Sequence, residues 1–397
     1  MVKFIFQVDD LDGRCKYFSA IKYASDLKYF NVFNAAFIVL LIGPPTQAQD
    51  MFAGYEHLFT TPRQYTVYQP DGEIRIDGKL KENSWDAAPW SEYFIDIEGD
   101  KKVAPVFNTR FKLLWDAQNI YVAAELEEPN IWANVKQHDA VVFYDNDFEI
   151  FIDPDGDTHN YFEIEVNAIN TIFDLFLVKP YRNGGPILIN WDVQNLRSAI
   201  SSKGKINRSK GTDQKWFVEM AIPLRSLSFG NGIQLPKDQA IWRINFSRVQ
   251  WDTDIVKGKY VKKMDSITSR PLPEHNWVWS PQGVVDMHLP ERWGYLHFST
   301  QKAGTPKIDV SLPPAEKYKK YLWLLFYQQQ RYRQQHLRYA SELTQLNLPA
   351  IIELPGIRCK LSLEANSSQY KAVIQSFTEN ENWQINHEGK INKILIP

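Results

Sequence analysis

The sequence predicts a mainly β protein, with a β-sandwich followed by a small α+β C-terminal appendage. The first observation is the stretch 145–167, where apolar and polar residues alternate on both sides of Asp-Pro-Asp-Gly-Asp. Period-two alternation around such a turn predicts a β-hairpin. The second observation is a series of further alternating segments separated by turns, a spacing typical of a sandwich. These segments are 107–115, 119–126, 171–178, 192–199, 215–222 and 240–250, with a closing strand at 294–298.

Composition changes divide the chain into four regions. An apolar run at 32–43, followed by Thr46-Gln-Ala48, is typical of a signal peptide. It predicts export to the periplasm, the outer cell surface or the medium, although the preceding segment is longer and more acidic than in an ordinary signal peptide. The four predicted regions are a leader at 1–49, the sandwich at 50–300, a linker at 301–314 and the appendage at 315–397.

The appendage begins with a predicted helix. Tyrosine and apolar residues recur at intervals of three and four between Tyr318 and Tyr332, which is the spacing of one helix face. We expect this face to pack in a core, and the helix to offer a docking surface for a protein or cell-surface partner. Short antiparallel strands are predicted after it, at 360–363, 370–377 and 383–385.

Composition excludes several classes of function. The chain has 45 basic and 47 acidic residues, whereas a nucleic-acid binder usually carries a basic stripe, so we expect no nucleic-acid partner. Two cysteines, Cys15 and Cys359, are too few for a disulfide framework or a cysteine zinc site. The 13 tryptophans fit either an ordinary core or a sugar-binding surface, because sugar rings stack on indole.

The hairpin carries carboxylates that leave more than one function open. Glu149, Glu163 and Glu165 share the face opposite its apolar residues. This face is either a solvated surface or a site. Paired carboxylates are also what a glycoside hydrolase uses, so that class is one alternative to a non-catalytic binding protein. We assign no catalytic residue.

Two further groups of residues could bind a cofactor. Asp153, Asp155 and Asp157 bring three hard oxygen donors to the hairpin turn, which suits a structural Ca²⁺. An ordinary turn stabilised by aspartate side chains explains the same sequence. Met287 and His288 form a pair that could ligate haem, so a haem-binding electron-transfer domain is a second alternative. We expect no required cofactor.

Five segments between Ile74 and Phe298 follow the order of a known family. They are IDG with E-x-x-W-x-x-A, LLWDAQNIYVAAEL, DFEIFIDPDGD with NYFEIEVNA, WFVEMAIPL and WG-x-L-x-F. This order resembles the family 9 carbohydrate-binding modules, and the chain looks like a divergent member. The resemblance implies a non-catalytic sandwich that binds oligo- or polysaccharide, holds structural calcium, and assists polysaccharide capture or breakdown alongside secreted glycoside hydrolases.

The resemblance also implies where the ligand binds. The family's acidic ligand residue matches Glu149, and its arginine in the second hairpin strand falls at Glu165. Its two stacking tryptophans fall at Phe143 and Met287, so the candidate substitutes are Tyr144, Trp251, Trp277 and Trp279. We expect an open groove bordered by these positions. The candidate carbohydrate-binding residues are Tyr144, Glu149, Glu165, Trp279, Met287 and His288.

Overall fold

The chain divides into two compact units, Met1–Pro45 and Thr46–Pro397. In the first unit, strands β1 (Gln7–Asp9) and β2 (Cys15–Tyr17) pair antiparallel. The rest of the predicted leader lies outside the described residues, so export and cleavage stay predictions. The computed structural model describes residues 7–9, 15–17, 51–209, 214–228 and 235–395.

The second unit contains a large sheet, a short helix and a separate hairpin. The helix is α1 (Asn83–Ala87). The hairpin consists of β14 (Thr253–Val256) and β15 (Lys259–Lys262). Every other strand in the list that follows belongs to the large sheet. In chain order the strands are β3 (Gln64–Gln69), β4 (Ile95–Asp96), β5 (Thr109–Trp115), β6 (Asn119–Glu127), β7 (Asp147–Asp153), β8 (Tyr161–Asn167), β9 (Ile172–Leu177), β10 (Ile187–Leu188), β11 (Arg197–Lys203), β12 (Lys215–Pro223), β13 (Ile241–Gln250), β14 (Thr253–Val256), β15 (Lys259–Lys262), β16 (His275–Val278) and β17 (Gly294–Lys302).

The sheet folds into two layers that are joined through β3. Its strand order is β10-β9-β8-β7-β13-β17-β3-β5-β6-β12-β11, with β16 beside β13 and β4 beside β16. Strand β3 pairs in parallel with both β17 and β5, but the second pairing is a single residue pair, Tyr68 with Leu114. The strands before and after this weak junction therefore form two separate layers.

Apolar side chains from the two layers meet in one core. Phe111 of β5 stacks on Phe246 of β13 with 3.9 Å between ring centroids. Ile150 of β7 and Val122 of β6 are fully buried in the same core. Burying an apolar side chain of this size contributes roughly 1.5–3 kcal/mol. The two layers are thus held face to face, and the predicted sandwich is confirmed.

The appendage is a helix followed by a small antiparallel sheet, as predicted. Helix α2 (Glu316–His336) buries Tyr318 and Tyr321 against this sheet, while its last turn is exposed. Docking of a partner on the helix stays a prediction. No helix in the described part of the chain has both the length and the hydropathy to span a membrane. The strands of the small sheet are β18 (Ile351–Leu354), β19 (Ile357–Ala365), β20 (Tyr370–Ser376), β21 (Asn382–Asn386) and β22 (Ile391–Lys393).

Polar and aromatic contacts join the appendage to the sandwich. Within the sandwich, Arg182 donates two hydrogen bonds to Glu291, at 2.6 and 3.1 Å. The Tyr327 hydroxyl of α2 donates a third to Glu291 at 2.8 Å, and this bond links the appendage to the sandwich. Phe52 lies in the segment predicted to open the sandwich, yet it packs against Tyr321 of α2. The predicted domain boundaries stay predictions, and they are open to a direct test.

A chain truncated after Thr300 is expected to keep a cooperative thermal transition, at a lower temperature than the full chain. Within the described residues, the sandwich core has no member beyond Phe298. Truncation nevertheless leaves buried Glu291 without the Tyr327 hydroxyl, which lowers stability. Circular dichroism melts of both lengths check this. A broad, non-cooperative melt of the shorter chain would show that the appendage completes the sandwich.

Candidate functional site

Two neighbouring strands bring four carboxylates together on one face. In the β7–β8 ladder Glu149 lies directly opposite Glu165. Asp147 and Glu163 lie two residues from them, and alternate residues of a strand share a face. One oxygen each of Asp147, Glu149 and Glu165 lies within 4.8 Å of the others. We call Asp147, Glu149, Glu163 and Glu165 the carboxylate cluster.

The carboxylate cluster is buried, because two loops cover it. All four residues are 5% exposed or less. In the first loop, residues 131–146, the Phe143 backbone N–H donates to Glu165 Oε2 at 3.0 Å. In the second loop, His288 Nε2 lies 3.9 Å from Glu163 Oε2. The face that the sequence analysis expected to border an open groove is therefore a covered one.

Burial also decides the protonation of the carboxylate cluster. It raises the pKa of Glu149 to about 7, and it raises the pKa values of the other three acids well above their ordinary range, with the Glu149 charge adding to each. Among the described residues no lysine or arginine forms an ion pair with the cluster, and burial lowers the pKa of nearby His288 to about 3. The cluster must therefore keep protons near neutral pH or hold a cation. Hard cations prefer oxygen ligands at this spacing.

A partly exposed aromatic surface lies beside the cluster, with Tyr144 exposed and Trp251 buried. Tyr144 is 47% exposed. Lys262 Nζ lies 5.4 Å from the centroid of the Tyr144 ring and 3.2 Å from that of Trp251. The charge of Glu274 raises the pKa of both Lys262 and Glu149, so its carboxylate lies near both groups. We call Tyr144, Trp251, Lys262 and Glu274 the aromatic rim.

Burial also lowers the pKa of Lys262 to about 8, partly offset by the Glu274 carboxylate. The Lys262 ammonium is therefore easier to desolvate than a fully exposed one. It still carries charge at neutral pH, when it can donate to a hydroxyl-rich ligand.

Side-chain hydrogen bonds fix the segment that carries Tyr144. Asp145 Oδ2 accepts from the backbone N–H groups of Asn134 and Val135, both at 2.8 Å. Asn146 Oδ1 accepts from the Trp251 backbone N–H at 2.8 Å, and the Trp251 indole N–H donates to the Phe143 carbonyl at 2.9 Å. The aromatic rim is thus held in place by its own neighbours, which favours binding because little ordering is left to do.

Trp279 does not reach this surface. Its side chain is fully buried in the sandwich core, against Phe111. Its indole N–H donates to Glu92 Oε2 at 3.0 Å. Neither face of the ring is free, so the structure gives Trp279 a packing role instead of the predicted sugar contact.

Met287 and His288 belong to the loop that covers the carboxylate cluster. Met287 is partly buried, and its carbonyl accepts the Trp293 indole N–H at 2.8 Å. His288 Nδ1 lies 2.9 Å from the Tyr161 hydroxyl, and its ring meets the edge of Tyr181 with 4.0 Å between centroids. A haem iron would have to displace these aromatic partners of His288, so the structure gives no support to the haem alternative.

The hairpin turn places the three predicted calcium ligands close together. One oxygen each of Asp153, Asp155 and Asp157 lies within 4.8 Å of the others. However, both oxygens of Asp153 accept backbone N–H groups at 2.9 Å, and Asp157 Oδ2 pairs with Lys390 Nζ at 3.0 Å. The donor type fits calcium, and the turn is also stabilised without it. A calcium ion here stays a prediction.

Asp147, Lys262 and Glu274 are the site residues that the sequence analysis did not select. Asp147 precedes Glu149 by two residues, so the alternation that selected Glu149 could have found it. Lys262 and Glu274 reach the site only through the hairpin after β13 and the approach to β16, and no local pattern marks them. A cavity of about 740 Å³ elsewhere in the unit lies between residues 51–55 and the appendage and contains no candidate residue.

The family comparison covers most of this region, but not Glu274, Met287 or His288. Residues 76–268 match the family model described as carbohydrate family 9 binding domain-like. The match includes the carboxylate cluster and Tyr144. The sandwich therefore belongs to the family 9 carbohydrate-binding-like domains, as the sequence resemblance implied. No curated protein matches the chain.

Solved structures with similarity to part of the chain include the following three. A candidate carbohydrate-binding protein from Bacteroides uniformis is 16% identical, with a TM-score of 0.44 over 60% of this chain and 100% of its own. A family 9 carbohydrate-binding module from Caldicellulosiruptor kristjanssonii, solved with cellotriose, is 17% identical, with a TM-score of 0.39 over 63% of this chain and 100% of its own. The same module solved with glucose gives a TM-score of 0.38 at 17% identity and the same coverage.

Proposed function

We propose that the protein binds an oligo- or polysaccharide at the aromatic rim without catalysing a reaction on it. The observation that carries this proposal is the position of the half-exposed Tyr144 ring beside Lys262, inside the region that matches the family. Sugar rings stack on aromatic faces. Beside that face, the Lys262 ammonium can donate a hydrogen bond to a sugar hydroxyl, and the Glu274 carboxylate can accept one.

The aromatic rim supports this role better than the carboxylate cluster. Glu149 is buried, and the cover at Phe143 is hydrogen-bonded to its neighbour Glu165. Glu149 therefore offers a sugar hydroxyl almost no accessible surface. In this proposal Glu165 holds the cover in place, and the aromatic rim makes the direct contact with the sugar. One stacked sugar ring contributes on the order of 1 kcal/mol, so we expect weak binding.

The same geometry favours binding over hydrolysis. A glycosidase needs one carboxylate on each side of the glycosidic bond, with the sugar between them. Glu149 and Glu165 lie opposite each other in one ladder and are both covered. We further propose that the protein is exported and captures polysaccharide for breakdown by others. This part rests on the leader pattern and the family, and its test is the N-terminus of mature protein, expected close to Gln49.

A glycan panel combined with a reducing-sugar assay tests the proposal. The purified full chain is expected to bind at least one soluble or insoluble glycan and to release no new reducing ends from it. Release of reducing ends that disappears in Glu149→Gln would establish the hydrolase instead. Failure to bind any glycan on the panel would contradict a carbohydrate-binding function.

A further inference from the structure

A second polar cluster lies where the loop 131–146 meets β9. His138 Nε2 lies 2.7 Å from Asp192 Oδ1, 3.3 Å from Asp139 Oδ1 and 3.9 Å from Asp174 Oδ1. One donor atom of each of these four residues lies within 4.8 Å of all the others. Three segments that are distant in sequence thus direct four potential ligand atoms at one point.

Asp174 provides an independent observation that a ligand belongs here. Its side chain is only 2% exposed. Asp174 Oδ2 accepts the Val193 backbone N–H at 2.6 Å. Asp174 Oδ1 faces His138 but receives no hydrogen bond from any described residue. Leaving a buried carboxylate oxygen without a hydrogen bond is costly, and a cation closer than the His138 ring, whose Nε2 is 3.9 Å away, would remove that cost.

The site also has access and space. His138, Asp174 and Asp192 line a cavity of about 360 Å³, together with residues 193–196. His138 and Asp192 are themselves exposed on one side. An ion can therefore enter from solvent and keep a water ligand, while Asp174 forms the buried floor of the site.

We propose that His138, Asp139, Asp174 and Asp192 bind a divalent transition-metal ion of the Zn²⁺ type. Ligand atoms around a tetrahedral ion with bonds of about 2.1 Å lie about 3.4 Å apart. The three distances from His138 Nε2 bracket this value, so small side-chain movements complete the site. The imidazole nitrogen selects against Ca²⁺ and Mg²⁺, which take oxygen ligands.

The ion has a structural consequence. His138 and Asp139 belong to the loop that covers the carboxylate cluster, whereas Asp174 belongs to β9. A backbone hydrogen bond already joins this loop to β9, from the Asp139 N–H to the Ile172 carbonyl at 3.2 Å. A metal bound by all four residues fastens this loop to the sheet.

Zinc titration of the untagged, chelator-stripped full chain tests the site. In competition with a chromogenic chelator, we expect one equivalent of Zn²⁺ to bind and to raise the melting temperature. His138→Ala and Asp174→Asn are each expected to weaken the affinity at least tenfold. His275→Ala is the matched control, because His275 Nε2 lies 3.3 Å from Asp252 Oδ1 at similar exposure, and the described residues form no ligand cluster around it. This variant should bind zinc like the wild type.

Several outcomes would overturn the proposal. If the wild type shows no saturable zinc binding, His138 is simply the protonated partner of the three aspartates. Zinc binding that survives both His138→Ala and Asp174→Asn places the metal elsewhere. Ca²⁺ displacing Zn²⁺ at equal concentration contradicts the choice of a transition metal. If Asp174→Asn does not fold, exposed Asp192→Asn replaces it, with the same expected loss of affinity.

Discussion

Glu149→Gln is expected to be more stable than the wild type at pH 8 by on the order of 3 kcal/mol, and equally stable at pH 4. Burial raises the pKa of Glu149 from the ordinary 4.5 to about 7 in the folded protein. The folded state therefore holds this proton more tightly than the unfolded state. Stability contributed by Glu149 falls as the pH rises from about 4.5 to about 7, and the cost persists above that range. Each pKa unit corresponds to about 1.4 kcal/mol.

Urea titrations at both pH values, in the presence of EDTA, measure this difference. Glutamine has the shape of protonated glutamate, so the two proteins should coincide at pH 4. The exposed Glu73 offers a control, and Glu73→Gln should change stability little at either pH. Equal stability of Glu149→Gln and the wild type at pH 8 would contradict the account, because it would mean that the ionised cluster is already compensated.

Arg248→Met is expected to lower the free energy of unfolding by about 3–5 kcal/mol. Arg248 is fully buried and donates to Glu128 Oε2 at 3.0 Å, to Thr109 Oγ1 at 2.9 Å and to Gln250 Oε1 at 2.6 Å. Removing the guanidinium strands the buried Glu128 carboxylate, whose pKa burial already raises. An uncompensated buried charge is far more costly than the loss of an exposed pair.

The double variant Arg248→Met with Glu128→Gln provides the control. Neutralising Glu128 removes the stranded charge, so most of the lost stability should return in chemical denaturation. Because Glu128 also accepts a hydrogen bond from Asn146 at 2.9 Å, the single variant should loosen the segment that carries Tyr144. A double variant as unstable as the single one would show that lost packing, not the stranded charge, causes the effect.

The sandwich and the central hairpin could be predicted because their signal is local. Alternation in 145–167 identifies two strands whose apolar side chains must face one core, and the Asp-Pro-Asp-Gly-Asp turn fixes their pairing. The helix α2 and most of the small sheet follow from equally local patterns. The predicted strand at 192–199 was placed too early, since β11 begins at Arg197 and Asp192 instead joins the His138 cluster.

The cover over the carboxylates could not be predicted. Alternation shows that Glu149 and Glu165 share a face, but not whether a loop lies on it. Phe143, which contacts Glu165, precedes it by 22 residues. His288, which lies near Glu163, follows it by 125 residues. Only tertiary packing brings these residues together. Trp279 illustrates the same limit, because an aromatic residue that follows a strand can equally enter the core.

The central claim is that the sugar binds at the aromatic rim. Its most direct test is calorimetry, in which an oligosaccharide that binds the wild type is titrated into the wild type, Tyr144→Ala and Tyr93→Ala. Tyr93 is a matched control, because it is 48% exposed and Tyr144 is 47% exposed. A cation also lies at a similar distance from each ring centroid, the Arg110 guanidinium at 5.5 Å from Tyr93 and Lys262 Nζ at 5.4 Å from Tyr144. Loss of one stacked ring, on the order of 1 kcal/mol, predicts about fivefold weaker binding for Tyr144→Ala and unchanged binding for Tyr93→Ala. Wild-type affinity in Tyr144→Ala would contradict the proposed site.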